Sequence, residues 1–132
     1  MFQLLLGHIV GDYFLQWHWM ALQKSKPGMD GVKACMIHSI IYTICIMVCL
    51  VFVYPPLTLS WGSAWFLGVT ACGIWLSHYP IDRYSLVKII MYFKGGPDVN
   101  NPFAPVIYIF LDNTMHIVLM YYWLTLGMGV KL

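Results

Sequence analysis

Four long apolar segments, separated by short polar connectors, set the pattern of hydrophobic and polar positions along the chain. They cover about residues 2–22, 35–54, 61–82 and 103–126. Each is close to the ~20 residues that an α-helix needs to cross a bilayer. Pro80 predicts a kink or a break in the third segment, and 83–93 then continues as an amphipathic interfacial helix. The pattern predicts an all-α fold, in which residues 1–132 form one polytopic integral membrane four-helix bundle.

Composition favours the same class of protein. Hydrophobic residues make up 61% of the chain and charged residues only 9%, and the mean hydropathy is +0.74. Such values are atypical of soluble domains. The formal net charge is only +2 and the basic residues are dispersed, which argues against nucleic acid as a partner. Membrane lipid is the expected partner.

Lysines mark the connectors that we expect to face the cytoplasm. The first connector carries Lys24, Lys26 and Lys33, and the third carries Lys94. The second connector, about residues 55–60, has no charged residue. Under the positive-inside rule, the first and third connectors are therefore cytoplasmic. The prediction is a multi-pass protein with both termini on the non-cytoplasmic side.

The apolar segments contain three pairs of a histidine and an aspartate spaced four residues apart. The pairs are His8 with Asp12, His78 with Asp82, and Asp112 with His116. Residues four apart project side by side from a helix, so one helix can offer an imidazole and a carboxylate to the same ion. A charge at the bilayer centre costs about 2.5–3.5 kcal/mol, so these aspartates need compensation. His38, from the remaining segment, completes a predicted set of seven metal ligands.

Seven nitrogen and oxygen donors are too many for one tetrahedral ion. Two adjacent divalent ions, with bridging carboxylates and open positions for water, use them more naturally. Zinc is the first expectation for the metal, with manganese and iron as alternatives. The catalytic proton acceptor is then Asp12, Asp82 or Asp112. The alternative for each pair is an interhelical hydrogen bond that only stabilises the bundle.

Three further polar residues are candidates for substrate binding. Gln16 continues the helical face of His8 and Asp12. Lys24 and Arg83 lie near the expected cytoplasmic interface, where they could hold an anionic substrate. The alternative for both cations is an interaction with lipid headgroups.

Four blocks of the sequence carry a resemblance to a known family. In chain order they are LLLGHIVGDYFLQWHWMALQKSK, MIHSIIYTI, LSHYPIDRYSLVK and FLDNTMHIVLM. They resemble the successive blocks of a domain-of-unknown-function family of small four-span membrane proteins found in bacteria and their phages. The resemblance implies the bacterial inner membrane. More loosely, the chain is similar to membrane-bound metal-dependent hydrolases, which implies the same seven residues as metal ligands.

Three functions are consistent with these residues. The first is an intramembrane metal-dependent hydrolase of a lipid or a lipid-linked ester or phosphoester. Because the chain has no glutamate, an aspartate or a metal-bound hydroxide takes the role of general base. The second is a transporter or channel for divalent cations or protons, although four short spans leave little room for alternating access unless the protein forms a homo-oligomer. The third is a regulatory membrane protein without catalysis, whose partner is a host membrane protein.

Overall fold

The computed structural model describes residues 2–53, 61–97 and 101–128. Within these ranges the chain is helical and contains no strand. The helices are α1 (Phe2–Ile9), a π-helical turn (Val10–Phe14), α2 (His18–Gln23), α3 (Met29–Val53), α4 (Trp61–Tyr84), α5 (Leu86–Phe93) and α6 (Ala104–Gly127). The predicted all-α class is confirmed.

Helix α3 is the centre of the packing. It contacts α1, the π-helical turn, α2 and α4, while α6 packs against α4 and α5 contacts both α4 and α6. Every fourth residue of α3 from position 38 is fully buried, namely His38, Tyr42, Ile46 and Leu50. A row with this spacing lies on one face of a helix. Helix α4 packs on this face of α3, as does the first arm, which we define as α1 together with the π-helical turn (residues 2–14).

The buried interior has an apolar layer and a histidine layer. Four residues of the apolar core come from four arms, namely the first arm, α3, α4 and α6. Each lies four positions from a buried histidine: Leu4 from His8, Tyr42 from His38, Ile74 from His78 and Met120 from His116. In α1 and α4 the histidine follows the core residue, whereas in α3 and α6 it precedes it. The four arms therefore alternate in direction, and this alternation collects the histidines in one layer.

The first arm differs from the predicted continuous helix over 2–22. Its last turn is π-helical, closed by the bond from the Leu15 amide to the Val10 carbonyl at 2.9 Å. Residues 15–17 are not helical, and α2 begins only at His18. The π-helical turn lies tightly against α3, because a Cβ atom at Gly11 would be 3.0 Å from the Tyr42 ring. The arm is thus shorter than the ~20 residues of a spanning helix.

Helix α4 continues through Pro80, where the sequence predicts a kink or a break. The helix ends only at Tyr84. Pro80 removes one backbone hydrogen bond, yet the helix runs on to Tyr84. The chain turns at Ser85, whose φ of 49° and ψ of 51° are left-handed. Helix α5 follows and buries Val87 while it exposes Ile89 and Ile90. This helix corresponds to the predicted amphipathic segment, and its position at a membrane interface stays a prediction.

Among the described residues, two helices are long and apolar enough to cross a bilayer by length and composition. They are the segments Met29–Phe52 and Ala104–Gly127. The first arm is too short, and α4 carries His78, Asp82 and Arg83 in its last two turns. The four-span arrangement therefore stays a prediction for these two arms.

Close packing of α4 on α6 gives a test of the fold. A Cβ atom at Gly73 would collide with the indole ring of Trp123. We expect Gly73→Ala to lower the free energy of unfolding by about 1–3 kcal/mol, because overpacking outweighs the gain in helix propensity. Denaturant titration in detergent micelles measures the change.

Gly68→Ala is the matched control on the same helix. A Cβ atom at Gly68 has no heavy atom within 4 Å, so alanine there gains helix propensity without a collision. Equal stability of the two variants would contradict the close approach of α4 and α6.

Candidate metal centre

Six of the seven predicted metal ligands converge in the histidine layer. They form three overlapping groups, each with nitrogen and oxygen atoms within 4.8 Å of one another. The groups are Asp12 with His78 and His116, His38 with His78 and Asp82, and Asp82 with Asp112 and His116. We call these six residues the His/Asp cluster. Buried groups of this kind could hold a metal ion.

Four atoms of the cluster form a closed ring. His38 Nε2 lies 3.2 Å from Asp12 Oδ1 and 3.0 Å from Asp82 Oδ2. His78 Nε2 lies 3.2 Å from Asp82 Oδ2 and 3.7 Å from Asp12 Oδ1. Ligands held at 2.0–2.2 Å by one ion are about 2.8–3.6 Å apart at tetrahedral or octahedral angles. Three sides of the ring have this spacing, and the fourth exceeds it slightly.

Several ligand atoms of the ring lack a hydrogen-bond partner within the described part of the chain. Four buried atoms that face the cluster have no hydrogen-bond partner among the described residues, namely Asp12 Oδ1, His38 Nε2, His78 Nε2 and His116 Nε2. Polar atoms that converge without bonding to one another fit a common third partner, because buried polar atoms without partners are costly.

Asp82 belongs to two of the three groups through its two oxygens. Its Oδ2 atom is part of the ring, while Oδ1 lies 3.9 Å from His116 Nε2. His116 Nδ1 lies 2.9 Å from the Asp112 carbonyl oxygen and donates a hydrogen bond to it. This bond leaves the Nε2 lone pair of a neutral imidazole free for a ligand. Asp82 therefore faces the ring with one oxygen and His116 with the other.

The cluster collects residues from most of the length of the chain. A family model described as a protein of unknown function (DUF3307) matches residues 1–130. The chain belongs to the DUF3307 family. The predicted resemblance to a domain-of-unknown-function family is thereby confirmed. No curated protein and no solved structure matches this DUF3307 chain.

His8, the seventh predicted ligand, lies beside the cluster of the DUF3307 protein. Its Nε2 atom donates to Asn113 Oδ1 at 2.9 Å. Its Nδ1 atom lies 3.0 Å from the Tyr42 hydroxyl and 3.2 Å from Asp12 Oδ2. Both ring nitrogens thus have partners within the protein. His8 therefore contacts Asp12 from outside the cluster and belongs to none of the three groups.

Tyr42 and Asn113 support the cluster, and neither was predicted from the sequence. The Tyr42 ring stacks on His78, with ring centroids 3.8 Å apart and an interplanar angle of 15°. Asn113 accepts from His8 and donates to the Ile109 carbonyl at 2.9 Å. Each has a local signal, since Tyr42 lies one helical turn after His38 and Asn113 follows Asp112 directly.

The three predicted substrate-binding residues have different surroundings. Lys24 Nζ donates to Asp82 Oδ2 at 2.8 Å. Gln16, with its amide oriented to satisfy both neighbours, donates to the Asp12 carbonyl at 2.7 Å and accepts from Lys24 Nζ at 2.9 Å. Arg83 instead donates to the backbone carbonyl of Lys26 at 2.6 Å. Arg83 therefore binds the connector that carries Lys24, and these hydrogen bonds of Arg83 lie outside the cluster.

A polar cleft of about 260 Å³ opens onto the cluster. Asp82 and Asp112 lie on one side of it, and Lys24 and Lys88 also line it. The Asp112 side chain is 39% exposed, whereas that of Asp82 is buried. A substrate in this cleft would meet two carboxylates of the cluster and two ammonium groups.

With neutral imidazoles, as metal ligands require, the charges of the cluster do not balance among the described residues. Three carboxylates, from Asp12, Asp82 and Asp112, face one direct ammonium partner, Lys24, among the described residues. Buried charges without counter-charges are strongly unfavourable. A divalent cation would neutralise the two remaining negative charges.

Proposed function

We propose that this DUF3307 protein is a metal-dependent membrane hydrolase that cleaves a phosphoester of a lipid or a lipid-linked molecule. The observation that carries the proposal is the ring of four ligand atoms beneath the polar cleft. The ring offers two imidazoles and two carboxylates, and three of its four sides have the spacing of ligands to one metal ion. The cleft gives a substrate access to its edge.

A membrane location is supported by the outward surface of α3. Five aliphatic residues on it are 45–55% exposed, namely Ile37, Ile40, Ile44, Val48 and Val51. A continuous aliphatic face of this kind is costly in water and favourable in lipid. We place the protein in the bacterial inner membrane as a multi-pass protein, with both termini non-cytoplasmic under the positive-inside rule.

Zinc is the metal that the ring suits best, since two imidazoles and two carboxylates can complete a tetrahedral site. Manganese and iron accept the same donors, and two ions would use Asp82 as their bridge. A bound divalent ion supplies Lewis acidity and lowers the pKa of water. The cleft reaches Asp82 and Asp112, so an ion held by the ring would lie next to water and substrate there.

The cleft favours a phosphoester over a neutral ester. Lys88 lines it and makes an anionic group the natural complement, because ammonium groups bind phosphate oxygens through charge-assisted hydrogen bonds. Lys24 also lines the cleft, where it is bound to Asp82. A substrate phosphate would therefore sit between Lys88 and the metal ligands.

Hydrolysis needs one proton acceptor, and Asp112 is the available carboxylate. Asp12 and Asp82 supply ring atoms, whereas Asp112 is partly exposed at the cleft. The water oxygen bonds to phosphorus while Asp112 takes one water proton. The bond from phosphorus to the alcohol oxygen breaks, and the proton passes to the departing alkoxide. One water and one phosphodiester thus give one phosphomonoester and one alcohol.

Activity of the purified protein on bis(p-nitrophenyl) phosphate tests the proposal. We expect zinc- or manganese-dependent release of p-nitrophenol that stops when a chelator removes the metal. Asp112→Asn is expected to lower kcat by about 10²–10⁴-fold through loss of the general base. Asp30→Asn is the control, because Asp30 is an exposed aspartate at the start of α3.

Two results would redirect the assignment. Turnover that is unaffected by complete metal removal would exclude a metal-dependent hydrolase. Metal-ion flux into proteoliposomes, measured with an ion-sensitive dye, together with no phosphoester cleavage, would assign the same cluster to transport.

A further inference from the structure

A second cavity lies between α5 and α6, next to the polar cleft. It has a volume of about 720 Å³ and a largely apolar lining that includes Met91, Tyr92, Pro97, Ala104 and Pro105. Its volume is within the ~300–1,000 Å³ that is typical of sites for small organic ligands. We call it the apolar cavity.

The two cavities share a boundary. Lys88, Tyr108 and Ile109 line both the apolar cavity and the polar cleft. Tyr108 donates a hydrogen bond to the Pro97 carbonyl at 3.2 Å and so ties α6 to the segment after α5. The wall at this boundary is therefore held in place by a bond between the two elements.

The chemistry of the lining changes across this boundary. On one side are the carboxylates of Asp82 and Asp112, with Lys24, and on the other side are mainly apolar side chains. Lys88, whose side chain is exposed, stands at the transition. An apolar chain attached to a phosphate has the same order of properties, with the anion at one end and hydrocarbon beyond it.

We propose that the apolar cavity holds the hydrocarbon chain of the substrate, while Lys88 binds the phosphate to which that chain is attached. The inference rests on the proposed function, because it assigns the cleft to the scissile phosphoester. Two features favour a hydrocarbon chain attached to a phosphate as the occupant of the cavity. They are the continuity of the cavity with the cleft and the positive charge at their junction. The substrate is thus a single molecule that spans both cavities.

Chain-length dependence tests the proposal. The probes are p-nitrophenyl alkyl phosphodiesters with ethyl to decyl chains, used below their aggregation thresholds on the metal-loaded protein in nanodiscs. We expect kcat/KM of the wild type to rise by about two- to fourfold for each added methylene. Lys88→Met should lower kcat/KM by about tenfold or more for every chain length, because it removes a charged hydrogen bond to the phosphate.

A bulky substitution separates the cavity from general effects on the protein. Met91→Trp fills the apolar cavity and should reduce the ratio of kcat/KM between decyl and ethyl esters toward one. Val106→Trp is the matched control, because Val106 is 64% exposed on α6 and lines neither cavity. It should keep the wild-type ratio.

Titration calorimetry with alkyl monophosphates of the same chain lengths measures how affinity depends on chain length in the absence of turnover. Cleavage of short esters with no dependence on chain length would overturn the inference and leave the proposed function intact. Affinity that rises with chain length in the wild type but not in Met91→Trp would support the cavity even if no ester is cleaved. Equal chain-length dependence in Met91→Trp and the wild type would overturn it.

Discussion

Asp82→Asn is expected to remove stoichiometric metal from the purified protein. Asp82 offers Oδ2 to the ring of four atoms and Oδ1 to His116, so this substitution weakens two groups together. An amide oxygen is neutral and cannot replace the charge of a bridging carboxylate. Loss of a residue that only hydrogen-bonds to a metal ligand lowers metal affinity by about 10–100-fold. Loss of a ligand itself should lower the affinity by at least about 100-fold.

Elemental analysis and calorimetric titration with zinc measure this loss. Asp30→Asn removes a carboxylate from the exposed start of α3 and should bind metal like the wild type. The circular dichroism of both variants checks that the helices persist after Lys24 loses its partner at Asp82. Wild-type metal content in Asp82→Asn would exclude Asp82 as a bridging ligand.

Metal binding is also expected to stabilise the fold by a measurable amount. The ring joins the π-helical turn, α3 and α4, so an ion bound there binds the folded state and not the unfolded chain. At a free metal concentration of 100 times Kd, the free energy of unfolding should rise by about 2.7 kcal/mol. Denaturant titration in detergent micelles, with zinc and with excess chelator, gives the difference.

The rise in the free energy of unfolding on zinc binding should depend on the two histidines of the ring. The double variant His38→Gln, His78→Gln is expected to unfold with the same free energy in zinc and in chelator. His18→Gln should respond like the wild type, because His18 is exposed on α2 and belongs to none of the groups. A zinc response in the double variant would place the stabilising ion elsewhere in the chain.

The layer of histidines was predictable because its signals are local. Helical periodicity places residues four apart on one face, so His78 with Asp82 and Asp112 with His116 are neighbours whatever surrounds them. Apolar segments do not tolerate isolated charges, which favours their convergence. The prediction of a shared site followed from these two constraints.

The roles within that layer depended on contacts between distant segments. His8 has the same spacing to Asp12 as His78 has to Asp82, yet Asn113 and Tyr42 occupy both of its nitrogens. Lys24 binds Asp82, which lies 58 residues further along the chain. Such partners are more than 30 positions apart, and no periodicity in the sequence relates them.

The stretch of residues 2–26 shows this division most clearly. By itself the sequence determined that the chain is helical and strongly apolar, and that its few ionisable groups recur at helical spacing, because these properties depend on neighbouring residues. Only the tertiary structure decided where the first helix ends, which nitrogen atoms remain free and which carboxylate has an oxygen in each of two groups. These features depend on how closely helices approach, as at Gly11 and Gly73, and on the direction of side chains that meet across them.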